Sequence, residues 1–284
     1  MDQFATNRSF LETEVALGRK YPRREQQLEL VKNVASLKAK AKCCRFPTDV
    51  DRLAREVGIV ETRITSLVTR GRLIREAKAG GFVVEIDSKL SPNQRRFVIA
   101  HEISHLIVEK DLMSLSVGRP RRTKTQHYFV ESLCDFGARE ILLPINTLRH
   151  EIADLAPSLE IVCKIAKEAE CSLELIAERI FERPAIWNKC RFISWIVRKE
   201  RLLAVKTWPE EGVDTDEISL NDEKNSIVMR AFNTPGIVRG WQELSYAGGE
   251  QELVYLEAVA SDDTHVLSLS IFKQKPKSLI RSIK

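Results

Sequence analysis

The run 96-RFVIAHEISHLIVEK-110 leaves a folding chain few choices. Ser91-Pro92 stands just ahead of it, with serine suited to the N-cap and proline to the first helical position, so a helix is expected from there to about Lys110. Residues four apart on a helix share a face. His101 and His105 therefore project side by side, at a spacing that suits two nitrogens on one metal ion. Glu102 leans toward the same side, placed to touch a metal-bound water rather than the metal. The plain alternative is an amphipathic helix with two surface histidines, and that alternative predicts no third ligand downstream.

A third ligand is on offer. The segment 129-FVESLCDFGAREILLP-144 reads as a helix ending before Pro144, with Glu131 and Asp135 on one face. A His101/His105/Glu131 set leaves one position open for water, as catalytic zinc requires. Asp135, one turn on, is placed to accept the free ring N–H of a ligand histidine, fixing its tautomer and raising its basicity. A solvated helix face would carry the same two acids, but their neighbours Phe129, Leu133, Cys134, Phe136 and Ala138 are apolar or small. That pattern buries the helix, and buried carboxylates need partners.

Around this pair the chain reads as α+β. Residues 24–42 are a charged helix and 46–59 a short one, capped by Thr48 or Asp49 and stopped by Gly58. Two strand-like runs, 72–77 and 82–87, flank Lys78-Ala79-Gly80-Gly81 and predict a hairpin. A short helix is expected over 146–156. Pro157-Ser158 then opens a pair of short helices with a turn at Glu170-Cys171-Ser172, closed by Pro184, with a helix-turn-helix look. Beyond residue 185 the pattern changes to strands, expected at 191–197, 202–208, 226–232, 252–260 and 264–272. All four tryptophans (Trp187, Trp195, Trp208, Trp241) lie in this last third.

Composition narrows the setting. Of 284 residues, 43% are apolar and 30% charged, which fits a globular chain. No apolar run spans a bilayer, and the first twenty residues lack the apolar core of a signal peptide, so a cytoplasmic location is expected. The six cysteines form no CxxC pair, which points to reduced thiols and against a cysteine-held zinc cluster. A net charge of +5 is too small for a strong nucleic-acid binder. Basic residues gather at Arg63, Arg70, Arg72, Arg75 and Lys78, and again at Arg119, Arg121, Arg122 and Lys124. The second group either guides an acidic substrate surface or is simply a solvated loop.

With 95-RRFVIAHEISHLI-107 and 131-ESLCDFGAREILLP-144 in hand, the sequence resembles the ImmA/IrrE family of metallopeptidases, and its layout is most like the radiation-response members. Cys134-Asp135 stands where the family often has Ala-Asn, and Gly137-Ala138 where it often has Phe-Ala. The resemblance implies a zincin-like helical metallopeptidase domain with a small β-sheet at 1–150, a helix-turn-helix-like pair at 151–184 and a β-rich, GAF-like sensor domain at 185–284. It implies Zn²⁺ or Mn²⁺ at His101, His105 and Glu131, and site-specific cutting of an XRE-type transcriptional repressor that holds off stress-response genes. It also implies a small-molecule ligand at the C-terminal domain.

In that chemistry Glu102 is the general base, and His127 or Tyr128 the second donor to the oxyanion. An edge strand within 82–87 is expected to pair with an extended substrate loop. The competing reading is a DNA-binding regulator with a structural or vestigial metal site. Its recognition helix would need outward-facing basic groups, and 172–183 offers Arg179 beside Glu174 and Glu178. Direct DNA binding is therefore not expected. A metal-dependent small-molecule hydrolase would keep the chemistry and change the substrate.

Overall fold

The computed structural model describes residues 24–76, 80–113, 124–182, 184–209, 218–246 and 249–271. The chain divides into two compact units, Met1–Ile145 with Glu168–Cys171, and Asn146–Lys167 with Ser172–Lys284. It is a mixed α+β fold in which helices dominate the first unit and antiparallel strands the second.

The first unit runs α1 (Arg24–Lys40), α2 (Val50–Glu56), β1 (Ile59–Thr65), β2 (Gly71–Glu76), β3 (Gly81–Asp87), α3 (Pro92–Met113) and α4 (Lys124–Leu142). Asp49 caps α2 by accepting from the Arg52 N–H at 2.9 Å. At the start of α3 the Ser91 hydroxyl accepts from the Gln94 N–H while the Gln94 side chain accepts from the Ser91 N–H, a reciprocal cap that fixes where the helix begins. The three strands lie in the order β1-β3-β2, with β1 parallel and β2 antiparallel to β3.

This order corrects one expectation. The 82–87 segment is the central strand, paired on both edges, and β1 and β2 are the edges. Adjacent Val83 and Val84 are both fully buried, so β3 is covered on both faces, as an interior strand is. Strand β1 has no strand signature in the sequence, because its residues 60–64 are all exposed and show no alternation. Gly71 lets β2 close on α3, because a Cβ there would fall 2.3 Å from Val98 Cγ1. Lys38 ties three segments together. Its buried ammonium donates to Thr48 Oγ1 and to the Ile141 carbonyl, both at 2.9 Å, which anchors the end of α4.

The second unit adds α5 (Ile145–Ile152), α6 (Leu159–Ala169), α7 (Leu173–Phe181) and a six-stranded sheet. The strands β4 (Cys190–Arg198), β5 (Arg201–Trp208), β6 (Ser219–Leu220), β7 (Val238–Ser245), β8 (Gln251–Ala260) and β9 (His265–Ile271) are ordered β5-β4-β9-β8-β7-β6, every pair antiparallel. Helix α8 (Ile227–Asn233) covers one sheet face, burying Ile227, Val228, Met229 and Ala231 with Trp195, Leu256, Ala258 and Val266.

The helix pair α6 and α7 packs on the opposite face. There Phe181 meets Phe192 edge-on at 6.0 Å, and the buried Glu257 carboxylate accepts the Leu159 N–H at 2.7 Å. Residues 226–232, expected as a strand, are helix α8. Ser226 caps it through the Met229 N–H, and apolar residues at 227, 228 and 231 form a helical stripe that outweighs the β-branched content. Strand β7 carries no clear strand signal in the sequence, because Gly240 and polar residues break its pattern. Three of the tryptophans, Trp187, Trp195 and Trp208, serve the core: Trp195 donates to Ser268 Oγ at 2.8 Å and Trp187 to the Ile152 carbonyl at 3.0 Å.

Candidate metal centre

Helices α3 and α4 pack side by side and deliver the chemistry. From α3, His101 and His105 bring their Nε2 atoms within 3.1 Å of each other. From α4, Glu131 places Oε2 3.3 Å from His101 Nε2 and Oε1 3.5 Å from His105 Nε2. These three residues form a group able to hold a metal ion. The geometry can be tested against the ion itself. Metal–ligand bonds of about 2.0–2.1 Å at tetrahedral angles set neighbouring ligand atoms about 3.3 Å apart. The imidazole–imidazole separation of 3.1 Å and the carboxylate contacts of 3.3 Å (from Oε2) and 3.5 Å (from Oε1) lie close to that value, and one ligand atom from each residue lies within 4.8 Å of the others, so the donor set fits zinc or a similar divalent ion.

Asp135 lies one turn beyond Glu131 and holds His101 Nδ1 at 2.9 Å. With Nδ1–H donating to that carboxylate, loss of the Nε2 proton to a bound metal would leave the Nε2 lone pair facing Glu131 and His105. Burial works against a charged His101, but Asp135 and Glu131 outweigh it and lift its pKa to about 9. Hydrogen bonds from His101 and His105 hold Glu131 well below the usual carboxylate range. A compact set of acidic and basic groups that settles only by sharing protons is one that a dication can replace.

Glu102 is buried, and burial raises its pKa, opposed by His105 and His101. Glu102 is thus a carboxylate moved toward neutrality within the field of the two imidazoles. His127, one turn before Glu131, sets Nδ1 3.5 Å from Glu131 Oε1 while staying 64% exposed. Tyr128 is exposed, its ring 6.4 Å from that of His127.

The basic clusters are less bare than the sequence implies. Arg63 pairs with Glu61 and Glu76, and Arg72 with Glu85. Lys78, Arg119, Arg121 and Arg122 lie outside the described residues. Helices α3 and α4 touch at Ser104 and Gly137, a contact the sequence does not announce because two small residues on separate helices carry no local signal.

Residues 55–181 match the family described as the IrrE N-terminal-like domain. Over that stretch, just under half of the chain, the protein is similar to the IrrE-type metallopeptidases. Two curated relatives are the radiation response metalloproteases IrrE of Deinococcus deserti and Deinococcus radiodurans, each 28% identical over 113 residues, or 38% of this chain. The matched stretch spans 40% and 34% of their respective lengths, less than half of either IrrE. Among solved structures, a Mycobacterium tuberculosis transcriptional regulator superposes with a TM-score of 0.54 at 16% identity, covering 93% of both chains, which is a likeness of fold. No helix among the described residues is long and apolar enough to cross a membrane.

Proposed function

We propose that this protein is a metal-dependent endopeptidase that cleaves an XRE-type transcriptional repressor and so releases stress-response genes. The observation that carries the reading is the convergence of His101, His105 and Glu131, their ligand atoms within 4.8 Å of one another, with the buried Glu102 next to His101 in the chain. His101, His105 and Glu131 would hold Zn²⁺, or Mn²⁺ where that ion is more available, since imidazole and carboxylate accept either. A bound metal supplies a water of lowered pKa and polarises the scissile carbonyl. Glu102 takes the proton from the attacking water and passes it to the leaving amine. Asp135 keeps the His101 ring in the tautomer that presents Nε2. His127 reaches over Glu131 and is the better placed of the two candidate oxyanion donors; Tyr128 is the alternative.

In functional terms residues 1–150 act as the peptidase, 151–184 as a helix-turn-helix-like element and 185–284 as a GAF-like sensor for a small molecule. The antiparallel sheet with helices on both faces supports the last assignment. A DNA-reading role for the helix pair is disfavoured. Arg179, the basic residue that α7 offers, is fully buried and ion-paired with Glu182. Cytoplasmic residence fits the six free cysteines.

The test is a cleavage assay with metal-loaded protein and co-encoded XRE-type repressors. Wild type should cut at one bond. Glu102→Gln should keep the metal and lose activity by about 10²–10⁴-fold. The proposal fails if wild type cuts none of them, or if Glu102→Gln cuts as fast.

A further inference from the structure

The helices that carry the ligands touch at Ser104 and Gly137. Ser104 is wholly buried on α3, one residue before His105, with its hydroxyl donating to the Ala100 carbonyl at 2.9 Å. Gly137 lies in the interior of α4, two residues past Asp135. A Cβ built at Gly137 would stand 2.6 Å from Ser104 Oγ, 2.9 Å from Ser104 Cβ and 3.0 Å from Leu30 Cδ2 of α1.

Ordinary contacts of this kind begin at 3.4 Å. The serine hydroxyl can rotate away and the leucine methyl can give, but Ser104 Cβ moves only with the α3 backbone. Gly137 is not there for a turn, because it sits mid-helix, where alanine is the better helix former. Its presence answers to the neighbouring helix.

We infer that Gly137 is a positioning residue for the metal site: the absence of a side chain there sets the spacing at which α3 and α4 pack, and with it the separation of the two imidazoles from the Glu131 carboxylate. This rests on the reading of His101, His105 and Glu131 as metal ligands. Ser104 lies between the two histidines in sequence, so displacing it displaces both. Restoring an ordinary contact requires the α3 backbone to retreat by about half an ångström, whereas metal–ligand distances tolerate about 0.2 Å. Two donors on one helix would then stand off from the third on the other.

The experiment uses the full chain in four forms: wild type, Gly137→Ala, Gly137→Ala with Ser104→Gly, and Glu131→Gln. Zn²⁺ affinity is measured by competition with a chromophoric chelator, and the metal-free proteins are followed by far-ultraviolet circular dichroism and thermal melting. Gly137→Ala should lose tenfold or more in Zn²⁺ affinity with its helix content intact. The double variant, which removes the opposing Cβ and hydroxyl, should recover most of that loss. Should Gly137→Ala fail to fold, Ser104→Thr adds a methyl to the same contact from α3 and should show the same loss.

The inference is overturned if Gly137→Ala binds Zn²⁺ as wild type does, whatever its melting temperature, or if the double variant binds no better than the single one. Wild type failing to bind Zn²⁺ would instead overturn the metal-site reading and this inference with it. Glu131→Gln matching wild type would remove Glu131 from the ligand set by itself.

Discussion

Replacing Asp135 by alanine removes the carboxylate that accepts from His101 Nδ1 at 2.9 Å. Two things are lost. The imidazole is no longer held in the tautomer that presents Nε2 to the metal, and the nearby negative charge no longer raises its basicity. Partners of this kind typically contribute 10–100-fold to metal affinity, or about 1.4–2.7 kcal/mol. The structure locates Asp135 within that range. Its side chain is 47% exposed while that of His101 is 16% exposed, so water screens the charge at one end of the bond but not at the other. The expected loss is therefore close to tenfold, about 1.4 kcal/mol.

Asp135→Asn keeps an oxygen able to accept the N–H and gives up only the charge, so its loss should be smaller than that of the alanine variant. Glu131→Gln, which weakens a direct ligand, should cost more than either. Chelator competition with Zn²⁺ at fixed pH orders the three. An Asp135→Ala affinity equal to wild type would refute the orienting role. A loss as deep as that of Glu131→Gln would mean that Asp135 coordinates the metal directly.

Two further outcomes concern stability. Burial lowers the Lys38 pKa from 10.5 to about 8, against the opposing pull of Glu140. Between those values the unfolded chain binds the proton more tightly than the folded one, so stability rises with pH across that window, and the full cost, about 3 kcal/mol, is felt below pH 8. Urea unfolding at pH 7.5 and pH 10 should show wild type gaining on Lys38→Met at the higher pH, and a difference independent of pH would refute this. Glu257 accepts the Leu159 N–H at the start of α6 and pairs with Arg239 at 3.2 Å, so Glu257→Gln should cost about 1–2 kcal/mol through the lost charge at a helix N-terminus. An unchanged melting temperature would exclude that role.

What the amino-acid order determined by itself is the content of each ligand-bearing helix. Four-residue spacing puts His101 and His105 on one face, and Glu131 with Asp135 on another, in any helix that contains them. Ser91-Pro92 and Pro144 mark ends that local sterics enforce. Segments whose state depended on neighbours were misread. Residues 226–232 carry the β-branched content of a strand, yet they form a helix because a serine cap and an apolar stripe meet a sheet face that needs covering. The 82–87 strand was taken for an edge, since its second partner, β1, has no alternation to announce it.

Only the tertiary structure decided the distances. That Glu131 closes a triangle with two imidazoles, that Asp135 reaches His101, and that Lys38 clamps the end of α4 all depend on how far apart separate helices pack. Packing distance depends on pairs such as Ser104 and Gly137, which lie 33 positions apart in the chain yet so close in space that a Cβ at Gly137 would stand 2.9 Å from Ser104 Cβ. Periodicity reports which way a side chain faces along its own helix; it holds no information on what stands opposite, because that is settled by steric fit between elements rather than by the order of residues within one.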